Sequence, residues 1–237
     1  MIVGNGLLAH AFARSHAHHP NVTIFASGVS NSLEVRADAF ARERDLLDSV
    51  LRQRTRRVIY FSCCSLSGSL PTTPYMRHKL DMESRIRAIP GGIVMRLPQV
   101  VGRSGNPHTL ANYLQAKIMS GEAFEVWSRA ERNLIDVDDV AAIATAMIDD
   151  ADTTRNLRTI ASPYSLGMLE IVSIFERVLA RKAIFTLVDE GHALPIDATE
   201  AAAIAQRLGI GFERDYPERV LRKYHGQGAA DGALAAD

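Results

Sequence analysis

Only two cysteines stand in the 237 residues, Cys63 and Cys64, and because they are adjacent they cannot form an ordinary long-range disulfide. Both read as reduced thiols, which excludes a cross-linked scaffold. Excess charge is lacking as well: 27 basic residues face 27 acidic ones, so no net field draws nucleic acid or a membrane surface, and a small-molecule partner is expected. No apolar run is long enough to span a bilayer, and no basic segment leads into an apolar stretch at the start of the chain; a cytoplasmic location follows as an expectation. His16, His18 and His19 cluster ahead of Pro20 without a Cys or acidic partner at ligand spacing. That pattern reads as a solvated helix end, and no metal is expected. No internal repeat is present.

What remains is an ordinary globular composition, 47% hydrophobic and 23% charged, in a chain long enough for one sizeable α/β domain with a smaller lobe. The organising stretch is RVIYFSCCSLSGSLPTTPYMRHK at 57–79. Val58, Ile59, Tyr60 and Phe61 form the continuous apolar run of a strand covered on both faces. A Ser/Cys-rich loop follows. Thr73 is placed to cap a helix and Pro74 fits its first turn, where a missing N–H costs nothing. Tyr75 and Lys79 then lie one turn apart on the same side, so the ammonium can approach the phenol and favour its ionised form. The same stripe, Tyr75, Lys79, Met82, Ile86 and Ile89, also fits a core face with a snorkelling lysine.

At the start of the chain a short apolar strand, 1–3, runs into Gly4-Asn5-Gly6-Leu7-Leu8-Ala9, a G-x-G-x-x-A turn opening a helix through about His16. The first glycine permits the tight turn, the second lets backbone approach a pyrophosphate, and the small Ala9 lets helix pack on strand. A second strand at 22–26 ends in Ser27-Gly28-Val29-Ser30, with none of the acids that hold the ribose 2′-hydroxyl of NAD.

Glycine turn, strand, Ser-rich loop and Y-x-x-x-K in that order resemble the extended short-chain dehydrogenase/reductase superfamily, the NAD-dependent nucleotide-sugar epimerases, dehydratases and ketoreductases. The resemblance covers about 1–165 and implies a Rossmann-like α/β fold, a doubly wound parallel sheet with a small C-terminal substrate lobe. It implies Tyr75 as general acid/base, Lys79 as the residue that holds the nicotinamide ribose and lowers the tyrosine pKa, and a loop hydroxyl on the reacting oxygen. Cys63 stands where Ser or Thr is usual; a thiol is a poor donor, so Ser62 or Ser65 is expected to fill that role. Gly4, Asn5, Gly6, Leu7, Leu8, Ser27, Gly28, Lys79, Pro98 and Val100 are the implied cofactor residues, the last two from a loop, PQVVG at 98–102, that resembles the family's segment beside the nicotinamide ribose. Arg103, Asn106 and Arg132 are the implied substrate residues. Arg132 opens RNLIDVDDV, where Asp138 or Asp139 is expected to cap a helix; its planar fork suits a diphosphate oxygen and equally a structural ion pair.

The chain is short for this superfamily, and 22–26 admits two assignments. As the family's second strand, its loop with Arg36 would take the 2′-phosphate of NADP. As the family's fourth strand, FASGVSNS followed by AFARERDLLDSVL would be the strand end and helix preceding the catalytic strand, so that two strand–helix units are missing and the sheet has fewer strands. The second assignment is favoured. The expected organisation is a dinucleotide-binding domain over 1–98 and 132–162, a substrate lobe over 99–131 and 163–225, and a disordered tail over 226–237. The implied activity is ketoreduction or epimerisation of a nucleotide-linked sugar with NADP, preferred for want of the acid, or NAD, in polysaccharide or deoxysugar synthesis, with a homodimer possible. The alternative is a catalytically impaired NAD(P)-binding or sensing module.

Overall fold

The computed structural model describes residues 1–16, 21–53, 56–67, 73–150 and 155–226. His18, His19 and the tail beyond Gly226 lie outside them.

The first third of the chain alternates strand and helix: β1 (Ile2–Val3), α1 (Leu7–His16), β2 (Val22–Phe25), α2 (Ala37–Leu51), β3 (Arg57–Cys63), a 3₁₀ turn (Cys64–Leu66) and α3 (Pro74–Arg87). Then come β4 (Gly92–Leu97), β5 (Gln99–Val101), α4 (Leu110–Ser120), β6 (Phe124–Trp127), β7 (Glu131–Asp136), α5 (Val137–Asp149) and β8 (Leu157–Thr159). The chain closes with β9 (Ser165–Gly167), α6 (Met168–Leu179), β10 (Phe185–Val188), α7 (Thr199–Arg207) and α8 (Tyr216–His225).

The main sheet is parallel throughout, in the order β1-β2-β3-β4-β8. β2 lies directly beside β3, with Ile24 opposite Ile59, and no strand stands between Ser27 and Arg57 among the described residues. This is the shortened sheet that the second assignment expects, and it leaves the two-residue β1 at the edge. Alternation along β3 explains why the sheet is covered on both faces. Ile59 and Phe61 join the cluster that includes Phe12 of α1 and Ile143 of α5, whereas Val58 and Tyr60 join Leu47 of α2 with Met82 and Ile86 of α3. Each fully buried apolar side chain contributes about 1.5–3 kcal/mol, so neither helix layer can be lost without losing its strand face.

A smaller group of strands carries the rest: β7 pairs in parallel with β5 and antiparallel with β9, and β6 pairs in parallel with β10. Leu169 of α6 is 44% exposed, while Ile171, Val172, Ile174, Phe175 and Val178 form the buried stripe. One expectation is corrected here. The cap of α5 is Asp136, whose side chain accepts from the Asp138 N–H at 2.8 Å. Asp138 and Asp139 instead hold α8: Asp139 accepts from the Tyr216 hydroxyl at 2.6 Å, and Asp138 shares the Lys223 ammonium with Asp136.

Candidate active site

Thr73 accepts from the Met76 N–H at 3.1 Å and Pro74 fills the first turn, so α3 starts where the local chemistry places it. That start sets Tyr75 against the end of β3. The Cys63 side chain packs against Tyr75, and its thiol lies 2.9 Å from the Ser65 hydroxyl. Phenol, thiol and hydroxyl therefore stand together at the strand's C-terminal end. Ser62 points away from it: alternation turns its side chain to the other face of β3, where its buried hydroxyl has no partner among the described residues.

Lys79 is not where an open ribose site needs it. Its ammonium is buried, 3% exposed, and donates to the Tyr60 hydroxyl at 2.9 Å and to the Glu43 carboxylate at 3.3 Å. Glu43 is fully buried and also accepts from the Tyr60 hydroxyl at 2.6 Å, the Val29 N–H at 2.6 Å and His78 Nε2 at 2.9 Å. Burial alone would push this carboxyl up; the His78 hydrogen bond, the Lys79 charge and the bonds from Tyr60 and Val29 outweigh it and hold the pKa at about 2. The Lys79 ammonium stands 5.8 Å from the centre of the Tyr75 ring, and its charge is balanced by Glu43. Burial, Cys63 and Glu43 accordingly push the Tyr75 phenol well above the usual tyrosine range, the opposite of the lowering expected from Lys79. In this arrangement Tyr75 is a neutral phenol, a proton donor before it is a base.

Glu43 was the residue that sequence patterning passed over. It sits on the α2 stripe Phe40, Glu43, Leu47 and Val50, so a carboxylate in an apolar stripe was the available signal. A depressed carboxyl stabilises the fold above its unfolded pKa, near 4.5, and that stability is lost as pH falls toward the folded value near 2. The pair of values corresponds to about 3 kcal/mol. Denaturant titrations between about pH 5 and pH 2 should show wild type losing that stability relative to Glu43→Gln; parallel profiles would remove the depressed carboxyl from the description.

The glycine turn is open where the lysine is closed. Gly4 has φ +121°, and a Cβ there would stand 2.5 Å from the Ala26 carbonyl, so only glycine makes this turn. A Cβ on Gly6 would meet nothing within 4 Å, Asn5 is exposed, and the first turn of α1 carries no acid. Leu7 and Leu8 are half-buried. This half-turn fits the diphosphate of a dinucleotide, which backbone N–H groups at a helix start can hold. The fit ends there, since the sheet stops at β1 and Lys79 is engaged. Ser27 is tied to Arg42, whose guanidinium donates to its hydroxyl at 3.4 Å and its carbonyl at 3.3 Å; Arg36 is paired with Asp38 at 3.3 Å. Gly28 backs directly onto the buried pair.

The other expected residues divide between two places. Pro98 and Val100 are half-buried around β5, where Val100 pairs with Ile135. Asn106 donates to the exposed Ser30 hydroxyl at 3.1 Å, joining the loop after β5 to the loop after β2. Arg132 donates to the Glu131 carbonyl at 2.8 Å and makes no ion pair among the described residues; burial lowers its pKa. Arg103 is exposed and, with Leu7 and His10 of α1, Asp138 of α5, and Lys223 and Tyr224 of α8, lines an open cleft of about 590 Å³ beside the first turn of α1. Tyr75 and Lys79 do not line it. Among the described residues no group of three His, Cys, Asp or Glu side chains is placed to hold a metal, and no helix is long and apolar enough to cross a membrane.

A shortened parallel α/β sheet with a glycine turn at its edge strand and a Tyr–x–x–x–Lys helix beside β3 defines a dehydrogenase-type nucleotide-binding enzyme fold. The NAD dependent epimerase/dehydratase family matches residues 9–161, and the chain belongs to that family, an enzyme family of the short-chain dehydrogenase/reductase type. Among solved structures it resembles the UDP-glucose-4-epimerase of Stenotrophomonas maltophila with bound NAD and formylated UDP-arabinopyranose (TM-score 0.69, 16% identity, 94% of this chain and 81% of that one). It also resembles the UDP-glucuronic acid 4-epimerase of Bacillus cereus in complex with UDP-glucuronic acid and NAD (TM-score 0.70, 14% identity, 86% and 74%). A third is RMD from Pseudomonas aeruginosa complexed with NADPH (TM-score 0.66, 15% identity, 93% and 85%). No curated protein matches by sequence.

Proposed function

We infer that this protein is an NAD(P)-dependent enzyme acting on a nucleotide-linked sugar, by ketoreduction or epimerisation, in polysaccharide or deoxysugar synthesis. The observation that carries the reading is the grouping of Tyr75 phenol, Cys63 thiol and Ser65 hydroxyl at the end of β3, groups from which a proton can pass to a sugar oxygen. When bound, the nicotinamide supplies or accepts hydride. The chain's own part is the proton: the neutral Tyr75 donates it as charge develops on the reacting oxygen, and Ser65 supports the thiol packed beside it. Arg103 and Arg132 are the cations available to the diphosphate of the sugar nucleotide. The similarity to solved enzymes that hold UDP-sugars supports that substrate class.

The cofactor reading is tested by calorimetric titration with NADPH and NADH. Saturable binding of at least one below millimolar concentration is expected; no saturation by either at millimolar concentration would sink it. The rival reading, a binding or sensing module with impaired turnover, is favoured by the Glu43–Lys79 pair and the missing adenosine-side strands. Cys63→Ser separates the two chemically. A hydroxyl donates a better hydrogen bond than a thiol, so turnover in this variant is expected to stay or rise.

A further inference from the structure

Four polar side chains meet inside the fold between α2, β3 and α3: Glu43 and Tyr60 at 0% exposure, Lys79 at 3% and His78 at 5%. A buried ion pair is a weak source of stability, since apolar replacements of the same shape are often as good or better. The loop after β2 closes over it. A Cβ on Gly28 would stand 2.7 Å from Lys79 Nζ and 3.0 Å from Glu43 Oε1, so the backbone rests directly on the pair. The next residue, Val29, donates its N–H to Glu43 at 2.6 Å and packs its side chain with Phe40 and Tyr75. Ser30 accepts from Asn106, which ties the cover to the loop after β5. The glycine turn adjoins this cover, because the Cβ position of Gly4 is 3.1 Å from the Ser27 nitrogen.

We propose that Glu43 is a positioning residue that masks Lys79, holding its ammonium beneath the loop 27–30 so that a dinucleotide's ribose must take the lysine from a buried carboxylate. The proposal rests on the dinucleotide reading above. With the mask closed, the apparent affinity is lower than the intrinsic one by the unmasked fraction. Burial, then Cys63 and the Glu43 carboxylate, keep the proton on the Tyr75 phenol. The titratable groups facing the pair are Tyr60 from β3 and Tyr75 and His78 from α3, and Cys63 of β3 packs against Tyr75.

The test follows Tyr75 by its ring carbon next to oxygen in ¹³C-tyrosine-labelled protein, with Tyr75→Phe assigning the signal. Wild type should show no ionisation of Tyr75 below about pH 10. Glu43→Gln keeps an acceptor for Lys79 and Tyr60 but removes the charge; the Tyr75 signal should then titrate at least about one unit lower. NADPH affinity, measured by calorimetry, should rise about tenfold. Should Glu43→Gln fail to fold, Gly28→Ala serves, because its methyl group would stand 2.7 Å from Lys79 Nζ, must push the ammonium off Glu43, and should move the Tyr75 signal the same way. A folded variant with Tyr75 titrating as in wild type would overturn the mask and leave Glu43 a packing residue. Absence of NADPH binding in wild type and variants alike would count against the cofactor reading, while the Tyr75 titration still decides the role of Glu43.

Discussion

Tyr75→Phe is expected to lower turnover by about 10² to 10⁴ while dinucleotide affinity stays as in wild type. The substitution keeps the ring, which packs with Val29 and Phe40, and removes only the hydroxyl. Nothing else in the chain of groups at the end of β3 replaces it: Ser65 reaches the thiol, and Ser62 lies on the other face. Because the phenol is held well above the usual tyrosine range, the loss should be that of a general acid, appearing in kcat and kcat/KM together. The opposite pattern, a silent Tyr75→Phe with Cys63→Ser abolishing turnover, would replace the phenol with a thiol mechanism.

Lys79→Met carries the largest expected effect on stability. It leaves Glu43, at 0% exposure, as a buried charge without its cation, a situation that costs about 3–5 kcal/mol. A lysine that merely bordered an open cleft would cost about 1 kcal/mol or less. Adding Glu43→Gln to Lys79→Met should restore much of the loss, since the pair acts as a unit and the two effects are not additive. Urea denaturation of the four proteins measures this. A loss below about 1 kcal/mol for Lys79→Met would mean that the ammonium does not balance the carboxylate.

The parts of the fold that were legible from residues alone rest on local chemistry. Thr73 and Pro74 start α3, Gly4 turns the chain into α1, and the apolar run of 58–61 makes a strand covered on both faces. The shortened sheet was legible from spacing, because about 30 residues between β2 and β3 leave room for one helix and no further strand. What was not legible is decided by partners far away in the chain. The spacing of Tyr75 and Lys79 puts both on one side of a helix but does not say which way the ammonium turns; Glu43, 36 residues earlier, decides that. Asp136, Asp138 and Asp139 compete for the start of α5; Asp136 caps it, and α8, reaching back with Tyr216 and Lys223, bonds all three. Leu169 fits the apolar spacing of α6 yet lies on its exposed side, since spacing alone does not fix which edge of a stripe meets the core.

The most direct measurement offers NADPH and a panel of nucleotide-linked 4-keto sugars to the wild-type protein and follows NADPH consumption. The expected result is saturable consumption with at least one sugar nucleotide, lost in Tyr75→Phe. Saturable NADPH binding with neither NADPH consumption nor an epimerised sugar recovered from any member of the panel would contradict the enzymatic reading and leave a cofactor-binding module in its place.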